Sequence, residues 1–227
     1  MGALNLIETG IYGVPDAAAL IGTTERKVRG WVDGYKKGEK ALIDNQLGWI
    51  DGRLAFSFTN LMEIRFIAFF AEAGVRVPRI RAIMKEAKEV LRLPHPFATN
   101  VVFKTDGRRI LARIARRNGI ADLYDLESHN YEMEPIVFRS LKTGVEYDPN
   151  GYVRLWRPRP DIAPHVIVHP KFAFGQPVLR ESRIPTGTLR NAVDVEGSAE
   201  TVADQFDLPV NQVREAVRFE RRLHTVH

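Results

Sequence analysis

The residues of this chain that could support metal or acid–base chemistry are few and scattered. His165 and His169 are four positions apart, a spacing that suits one metal ion only on a helix. They lie instead in a strand-like, proline-flanked run with no third ligand nearby, while His224 and His227 form a short C-terminal tail. The chain has no cysteine, which excludes disulfides and cysteine-ligated metals. The sequence therefore predicts no metal site.

The acidic residues do not form a recognisable catalytic set either. Asp122, Asp125 and Glu127 are expected at a helix end, and Glu132 and Glu134 alternate along a predicted strand. A metal-dependent nuclease would need several convergent carboxylates. The sequence also lacks a glycine-rich phosphate loop, a nucleophile elbow and an HExxH motif. We predict no enzymatic activity, no catalytic residue and no cofactor.

Composition and charge favour a folded protein with a nucleic-acid partner. The chain has 227 residues, 44% of them hydrophobic, which is enough for two modest domains, and its net charge is +5. Basic residues concentrate in Arg26–Lys40 and Lys104–Arg117. No apolar run approaches the roughly 20 residues of a membrane span, and the N-terminus lacks a signal-peptide pattern. We expect a cytoplasmic protein without a membrane partner.

The first basic cluster lies on a predicted helix near the N-terminus. A short helix closes at Gly22, and the following helix, capped by Thr24, directs Val28, Trp31 and Val32 inward. A helix, a glycine turn and a polar, basic helix are the elements that place a recognition helix in the major groove of DNA. The residues predicted to contact DNA are Thr23, Thr24, Arg26, Lys27, Arg29, Tyr35, Lys36, Lys37 and Arg53.

A β-hairpin follows this helix pair. Leu47–Ile50 and Leu54–Phe58 flank Asp51-Gly52, which is the strongest short hairpin signal. Arg53 stands just beyond the tip, where it can reach phosphates. The pattern predicts the wing of a winged helix.

Two more helices complete this half of the chain. They are predicted at Asn60–Ala73, capped by Thr59, and at Pro78–Leu91. The order of elements resembles the DNA-binding half of the MerR family, through Tyr12, Ala17-Ala18, Gly22, Lys27-Val28-Arg29, Trp31, Phe58-Thr59, Leu61, Ile64, Ile67, Ala73-Gly74, Ile80-Arg81 and Ile83. The resemblance implies a winged helix-turn-helix domain over residues 1–93. Because Pro94 and Pro96 end the last helix early, we expect no coiled-coil dimer.

The middle of the chain, residues 97–160, is predicted to be β-rich. Val101–Lys104 and Arg109–Ile114 flank an Asp-Gly turn, and Val145–Tyr147 and Tyr152–Trp156 flank a second turn. Such a sheet, rich in arginine and aromatic residues, is either a protein-binding or dimerisation face, or a core with a charged exterior.

Residues 161–227 are predicted to form two short strands followed by three helices. The strands are Val166–Val168 and Pro177–Leu179, and the helices are Leu189–Val195, Ala199–Phe206 and Val210–Leu223, which begin after Thr188, Ser198 and Pro209. The last two helices have the short connection of a helix-turn-helix. This trihelical module is either a packing unit or a second DNA reader, through Asn211, Gln212 and Arg214.

The C-terminal module resembles a family of small bacterial proteins long labelled as a domain of unknown function. The resemblance rests on Pro170, Phe174-Gly175-Gln176-Pro177-Val178, Arg183-Ile184-Pro185-Thr186 and Val202-Ala203, with Glu181-Ser182 replacing the usual Gly-Thr. Members are encoded as antitoxins beside PIN-like ribonuclease toxins, as in some VapBC-type pairs. The resemblance implies a toxin partner, for which Arg180, Arg183, Arg221 and Arg222 are the candidate contacts.

These observations predict an α+β protein: a MerR-like winged helix-turn-helix, a β-rich middle and a C-terminal trihelical module. We expect a homodimeric antitoxin that neutralises a PIN-like ribonuclease and represses its own operon at an inverted repeat in promoter DNA. The alternative is a stand-alone MerR-like regulator whose middle region binds a ligand or a protein. A ligand would lie in a pocket around Phe103, Phe138, Tyr147 and Trp156.

Overall fold

A computed structural model describes residues 9–35, 40–103, 117 and 142–223. Within them the chain forms seven α-helices, two antiparallel sheets and short 3-10 turns. The elements are β1 (Tyr12–Gly13), α1 (Val14–Ile21), α2 (Glu25–Asp33), β2 (Gly48–Ile50), β3 (Arg53–Phe56), α3 (Phe58–Glu72), α4 (Val77–Leu91), β4 (Val145–Tyr147), β5 (Val153–Trp156), β6 (Val166–Val168), β7 (Pro177–Leu179), α5 (Thr186–Glu196), α6 (Ala199–Phe206) and α7 (Val210–Leu223). The mixed α+β class is as predicted.

The first sheet has the order β1-β3-β2 and contains the predicted hairpin. Trp49 pairs with Leu54, and the turn residues Asp51 and Gly52 have φ angles of 46° and 71°. Positive φ at both positions is what a two-residue type I′ turn requires, so this Asp-Gly pair matches the twist of the strands. The hairpin is therefore encoded locally.

The start of α3 differs from the prediction. Ser57, not Thr59, is the N-cap, because its hydroxyl oxygen accepts a hydrogen bond from the amide of Asn60 at 3.1 Å. Thr59 already lies within the first turn. Both residues are good caps by type, and the packing of Phe58 in the core starts the helix two residues earlier.

The segment after α4 also differs from the prediction. Val101–Phe103 forms a 3-10 turn rather than a strand. Phe97 stacks on Phe66 of α3 with ring centroids 3.7 Å apart, and Val102 is fully buried. These contacts with α3 override the β propensity of the valines. The predicted partner strand, Arg109–Ile114, lies outside the described residues, as does the predicted strand around Glu132 and Glu134.

The second sheet has the order β4-β5-β6-β7, all antiparallel. Strands β4 and β5 precede residue 160 and β6 and β7 follow it, so hydrogen bonds join the predicted middle region to the predicted C-terminal module. Leu155, Ile167 and Val178 form a small apolar cluster on one face. The other face, with Trp156, Val166 and Val168, contributes to the main core.

Helices α5 to α7 follow the second sheet. Helix α6 is capped by Ser198, as predicted, but α5 begins at Thr186 with Pro185 as its N-cap, not after Thr188. The Thr186 hydroxyl donates to the carbonyl of Pro177 at 3.2 Å, which anchors this earlier first turn to β7. Leu189, Val202 and Val213 are fully buried. No helix in the described ranges is long and apolar enough to cross a membrane.

Candidate nucleic-acid interface

Helix α2 has one basic face and one buried face. Val28 and Trp31 are at most 1% exposed, whereas Arg26, Lys27 and Arg29 are exposed to solvent. Because residues three and four apart share a helix face, the apolar spacing buries one side and leaves the cations on the other. The structure therefore brings three of the predicted DNA contacts together on one helix.

The two threonines at the start of α2 have different environments. The Thr24 hydroxyl accepts a hydrogen bond from the Lys27 amide and caps the helix while the residue remains exposed. Thr23 is only 8% exposed. A buried threonine offers little surface for contact with the edge of a DNA base. The sequence pattern places both threonines at the helix start and does not distinguish them.

Tyr35 lies over the end of α2. A Cβ atom added to Gly30 would come within 2.4 Å of the Tyr35 ring, so the ring occupies the space that a side chain at position 30 would need. Tyr35 itself remains 41% exposed. Because Gly30 has no side chain, it leaves room for an accessible aromatic ring against α2. Lys36 and Lys37, which follow it, lie outside the described residues.

The hairpin adds two residues to the candidate interface: one predicted DNA contact and one residue that was not predicted from the sequence. Arg53 is exposed at the first position of β3, as its place beyond the turn implies. Trp49 on β2 is 56% exposed, the largest aromatic side chain to face solvent among the described residues. The alternation along β2 could have indicated it, because Gly48 and Ile50, on either side, are half-buried.

A chain of polar contacts positions the hairpin against the helices. The Asn45 side chain donates to the Ala55 carbonyl at 2.9 Å, and Gln46 Nε2 lies 3.1 Å from His95 Nε2. The other ring nitrogen of His95 is 2.9 Å from Oε2 of Glu63, which is fully buried on α3. Buried polar groups need partners, so these contacts specify how the hairpin root meets α3 and the segment after α4.

The second candidate for DNA reading lies at the start of α7. Asn211 and Arg214 are exposed and Gln212 is half-buried. Arg214 forms an ion pair with Glu200 in the first turn of α6. Backbone and Ser198 hydrogen bonds, together with Arg214, lower the pKa of Glu200. Arg214 therefore shares its charge with a neighbouring carboxylate.

The predicted toxin contacts Arg180 and Arg183 follow β7. Arg180 joins Arg154 and Arg157 around Glu146, with nitrogen–oxygen distances of 2.8, 2.9 and 2.6 Å. The hydrogen bond from Arg180 is the main cause that lowers the pKa of Glu146 to about 2. Arg183 instead lies 4.5 Å above the ring of Phe172. Three arginines with one carboxylate give this cluster a formal charge of +2.

The other two predicted toxin contacts, Arg221 and Arg222, are exposed in the last turn of α7. They belong to a different element from Arg180 and Arg183. The described structure thus distributes the four arginines between the second sheet and the end of α7.

His165 and His169 both have structural contacts. Glu215 is buried on α7 and accepts a hydrogen bond from the backbone amide of His165 at 2.6 Å, while its other oxygen is 2.9 Å from His165 Nδ1. His169 is buried, which lowers its pKa, and its Nδ1 accepts from the Lys171 amide at 3.1 Å. Among the described residues, no group of three or more His, Cys, Asp or Glu side chains is placed to hold a metal ion.

The pocket predicted for the alternative function falls largely outside the described side chains. Phe138 and the side chain of Phe103 lie outside the described part of the structure. Trp156 is 3% exposed and borders a cavity of about 200 Å³, whose lining includes Arg65 but not Tyr147. A larger groove, of about 720 Å³, lies elsewhere, between α1 and the C-terminal elements.

Comparison with known proteins finds a described family that matches one segment near the C-terminus. Residues 166–219 match a family described as "Protein of unknown function (DUF433)". This confirms the predicted domain of unknown function for that segment. The family description names neither an antitoxin nor a toxin.

Two mycobacterial proteins resemble the chain over nearly its whole length. An uncharacterized protein of Mycobacterium tuberculosis, Rv2308, is 20% identical over 231 residues, which cover 98% of this chain and 94% of that protein. The crystal structure of Rv2018 from the same organism matches with a TM-score of 0.70 at 20% identity, covering 91% of this chain and 96% of that one. At this identity the likeness shows a shared α+β fold.

Proposed function

We propose that this protein is a transcriptional regulator that binds double-stranded DNA through a MerR-like winged helix-turn-helix in residues 1–93. The observation that carries the proposal is the exposed basic face of α2, formed by Arg26, Lys27 and Arg29, opposite a fully buried face. In this proposal α2 enters the major groove, where arginine pairs with guanine and with phosphates. The β2–β3 hairpin is the wing, and Arg53 contacts the backbone.

The rest of the interface follows from the same placement. Thr24 and Tyr35 lie at opposite ends of α2 and would contact the two DNA strands that border the major groove. The basic pair Lys36-Lys37, which follows Tyr35 in the sequence, would add phosphate contacts. Two copies of the chain in a homodimer would read an inverted repeat, with half-sites one or more helical turns apart. In this proposal Asn211, Gln212 and Arg214 have no primary role, because Arg214 is already paired with Glu200.

We further propose that the protein is an antitoxin and that the promoter it binds is that of its own operon. This step is supported by the match of residues 166–219 to a domain of unknown function. That domain resembles antitoxins that are encoded beside PIN-like ribonucleases. The middle region, residues 97–160, and the C-terminal module, residues 161–227, would hold the toxin. The active site of a PIN-like toxin is acidic, so exposed arginines are the side chains suited to meet it. No enzymatic role is proposed.

Co-expression with the product of the adjacent gene tests the antitoxin proposal. We expect a stable complex in affinity pull-down and in size-exclusion chromatography with light scattering, together with rescue of growth from the neighbour's toxicity. Fluorescence anisotropy with DNA from upstream of the gene then tests promoter binding by the same complex. A neighbour that is neither toxic nor bound would contradict the antitoxin proposal while leaving DNA binding to be measured separately.

The second candidate is a stand-alone MerR-like regulator controlled by a ligand. It is favoured by the 720 Å³ groove, a size usual for small-molecule sites. This candidate predicts promoter binding without any toxin partner.

A further inference from the structure

A groove of about 720 Å³ separates the N-terminal helices from the C-terminal elements. One wall is formed by α1 and the start of α2, including Leu20 and Thr24. The opposite wall is formed by the turn before β7, the first turn of α5 and the end of α7, including Phe174, Gly187 and Leu223. Because the walls come from both halves of the chain, a molecule bound here would contact the proposed DNA-reading helix and the C-terminal elements at once.

The lining of the groove is mostly apolar, and its charges have one sign. Pro15, Leu20 and Leu223 contribute hydrocarbon surface. The charged side chains that line it are Asp16, Glu25 and Glu220, all acidic, and none of the lining residues is Lys, Arg or His. This is unexpected in a chain of net charge +5. Charge complementarity therefore favours a cation and disfavours an anion in this groove.

Two aromatic residues border the groove. Tyr12 is 2% exposed, and its hydroxyl oxygen lies so close to Gly175 that a Cβ there would come within 2.4 Å of it. Phe174 is 60% exposed, although it is large and apolar. Aromatic faces attract cations, so the exposed ring of Phe174 suits the same kind of ligand as the carboxylates.

The backbone holds Phe174 at the rim in a costly conformation. Ala173 and Phe174 have φ angles of 44° and 56°, followed by 92° at Gly175. Two successive non-glycine residues in the left-handed region cost free energy and persist only where surrounding contacts impose them. One such contact is the hydrogen bond from the Ile11 amide to the Phe174 carbonyl, at 2.9 Å. The fold thus keeps an exposed aromatic ring beside an apolar, acidic groove.

We propose that this groove binds a small apolar molecule that carries a positive charge, such as an aromatic or alkyl amine. The hydrocarbon part lies along α1 and Leu223, and the cationic group lies near Glu25 or Asp16, which are both exposed. This site is separate from the predicted DNA and toxin contacts except at Thr23 and Thr24. It requires neither proposed partner, so its test uses the purified full-length chain alone.

A set of matched fluorescent probes tests both the site and the charge preference. Trimethylammonium-diphenylhexatriene, neutral diphenylhexatriene and its propionate derivative share one hydrocarbon that brightens in apolar surroundings. We expect the cationic probe to bind roughly tenfold more tightly than the propionate, with the neutral probe between them. Glu25→Gln should weaken cation binding a few-fold and leave the neutral probe unchanged. Equal binding of the three probes, or no binding, would overturn the proposal.

A space-filling variant locates the bound probe. A Cβ built on Gly187 meets no atom within 4 Å, and Gly187 lines the groove, so Gly187→Leu should fill the groove without disturbing the fold. Asn191→Leu is the control, because Asn191 is exposed one turn further along α5 and does not line the groove. We expect Gly187→Leu to abolish cation binding and Asn191→Leu to retain it. Wild-type binding by a Gly187→Leu protein with an unchanged circular dichroism spectrum would overturn the assignment to this groove.

Discussion

Arg180 donates a hydrogen bond from Nη1 to Oε1 of Glu146 across 2.8 Å, and it joins the end of β7 to β4 at the far edge of the sheet. Arg154 and Arg157 donate to the same carboxylate. A partner that binds Arg180 must therefore either displace Glu146 or interact with the positive charge that one carboxylate leaves unneutralised on three arginines. The cluster also makes the stability of the sheet depend on pH.

Replacement of Glu146 should destabilise the protein more at neutral pH than at low pH. The pKa of Glu146 is about 2 in the folded chain and 4.5 ordinarily, so the carboxylate stabilises the fold above pH 4.5 and this contribution is lost as the pH falls toward 2. We expect Glu146→Gln to lower the free energy of unfolding by about 1–2 kcal/mol at pH 7, less than the full pKa shift implies because the arginines are partly exposed. Urea denaturation at pH 7 and pH 2.5 measures the difference.

The control for that experiment is Glu181→Gln, which removes an exposed carboxylate in the turn after β7. It should change stability little at either pH. An equal loss of stability at pH 7 and pH 2.5 for Glu146→Gln would contradict the ion-pair explanation.

Loss of the basic face of α2 should weaken DNA binding. Arg26→Ala/Arg29→Ala removes two cations that contact bases or phosphates in the proposed complex. We expect promoter affinity to fall by at least about tenfold. The slope of log affinity against log salt concentration should become shallower by up to about two, because up to two fewer counterions are released. Fluorescence anisotropy titrations at several salt concentrations give both quantities.

The matched control for α2 is Lys85→Ala/Arg190→Ala, which removes the same net charge from α4 and α5. Lys85 is 79% exposed and Arg190 is 37% exposed, and neither lies in the proposed interface. Equal weakening by both double variants would mean that overall charge, rather than α2, determines affinity.

Gly30 and Tyr35 should act as one unit in DNA binding. A Cβ at position 30 would lie 2.4 Å from the Tyr35 ring, so Gly30→Ala must displace the ring from α2. We expect Gly30→Ala and Tyr35→Ala each to weaken promoter binding, and the double variant to be no weaker than Tyr35→Ala alone. A double-mutant cycle measured by anisotropy tests this. Strictly additive effects would show that the two residues act independently.

Glu63 should be important for stability because it is a buried carboxylate 2.9 Å from His95. Glu63→Ala leaves His95 without its partner on α3, and breaking one side of a buried pair typically costs about 3 kcal/mol. The hairpin root depends on this network, so its amides should also exchange faster with deuterated solvent. Glu89→Ala, at a 64% exposed position on α4, is the control and should have little effect on stability or exchange.

The two pairs of candidate toxin contacts can be separated by mutation. Arg180→Ala/Arg183→Ala alters the arginine cluster of the second sheet, whereas Arg221→Ala/Arg222→Ala alters the end of α7. If the sheet face meets the acidic active site, the first variant should weaken the complex by at least about tenfold and the second much less. Isothermal titration with the purified neighbour compares them. A larger effect from the second variant would move the toxin interface to α7.

Sequence reasoning located most elements whose signals are local. The Asp51-Gly52 turn, the Ser198 cap and the range Val210–Leu223 agree with the structure because short-range geometry determines each of them. The buried residues of α2 also follow from their spacing alone. Errors arose where several local solutions were equally good, as with the cap of α3, or where packing overrode propensity, as at Val101–Phe103.

The sequence by itself determined the secondary structure of the two ends of the chain, the basic face of α2 and the absence of cysteine chemistry. These properties depend on residue type and spacing within one element. The tertiary structure alone decided that Thr23 is buried, that Arg180 shares Glu146 with two other arginines, and that β4 to β7 form one sheet across residue 160. It also created the acidic groove, whose lining residues come from positions as far apart as Ile11 and Leu223. Contacts between residues so distant in the chain depend on how elements pack, and no local pattern encodes them.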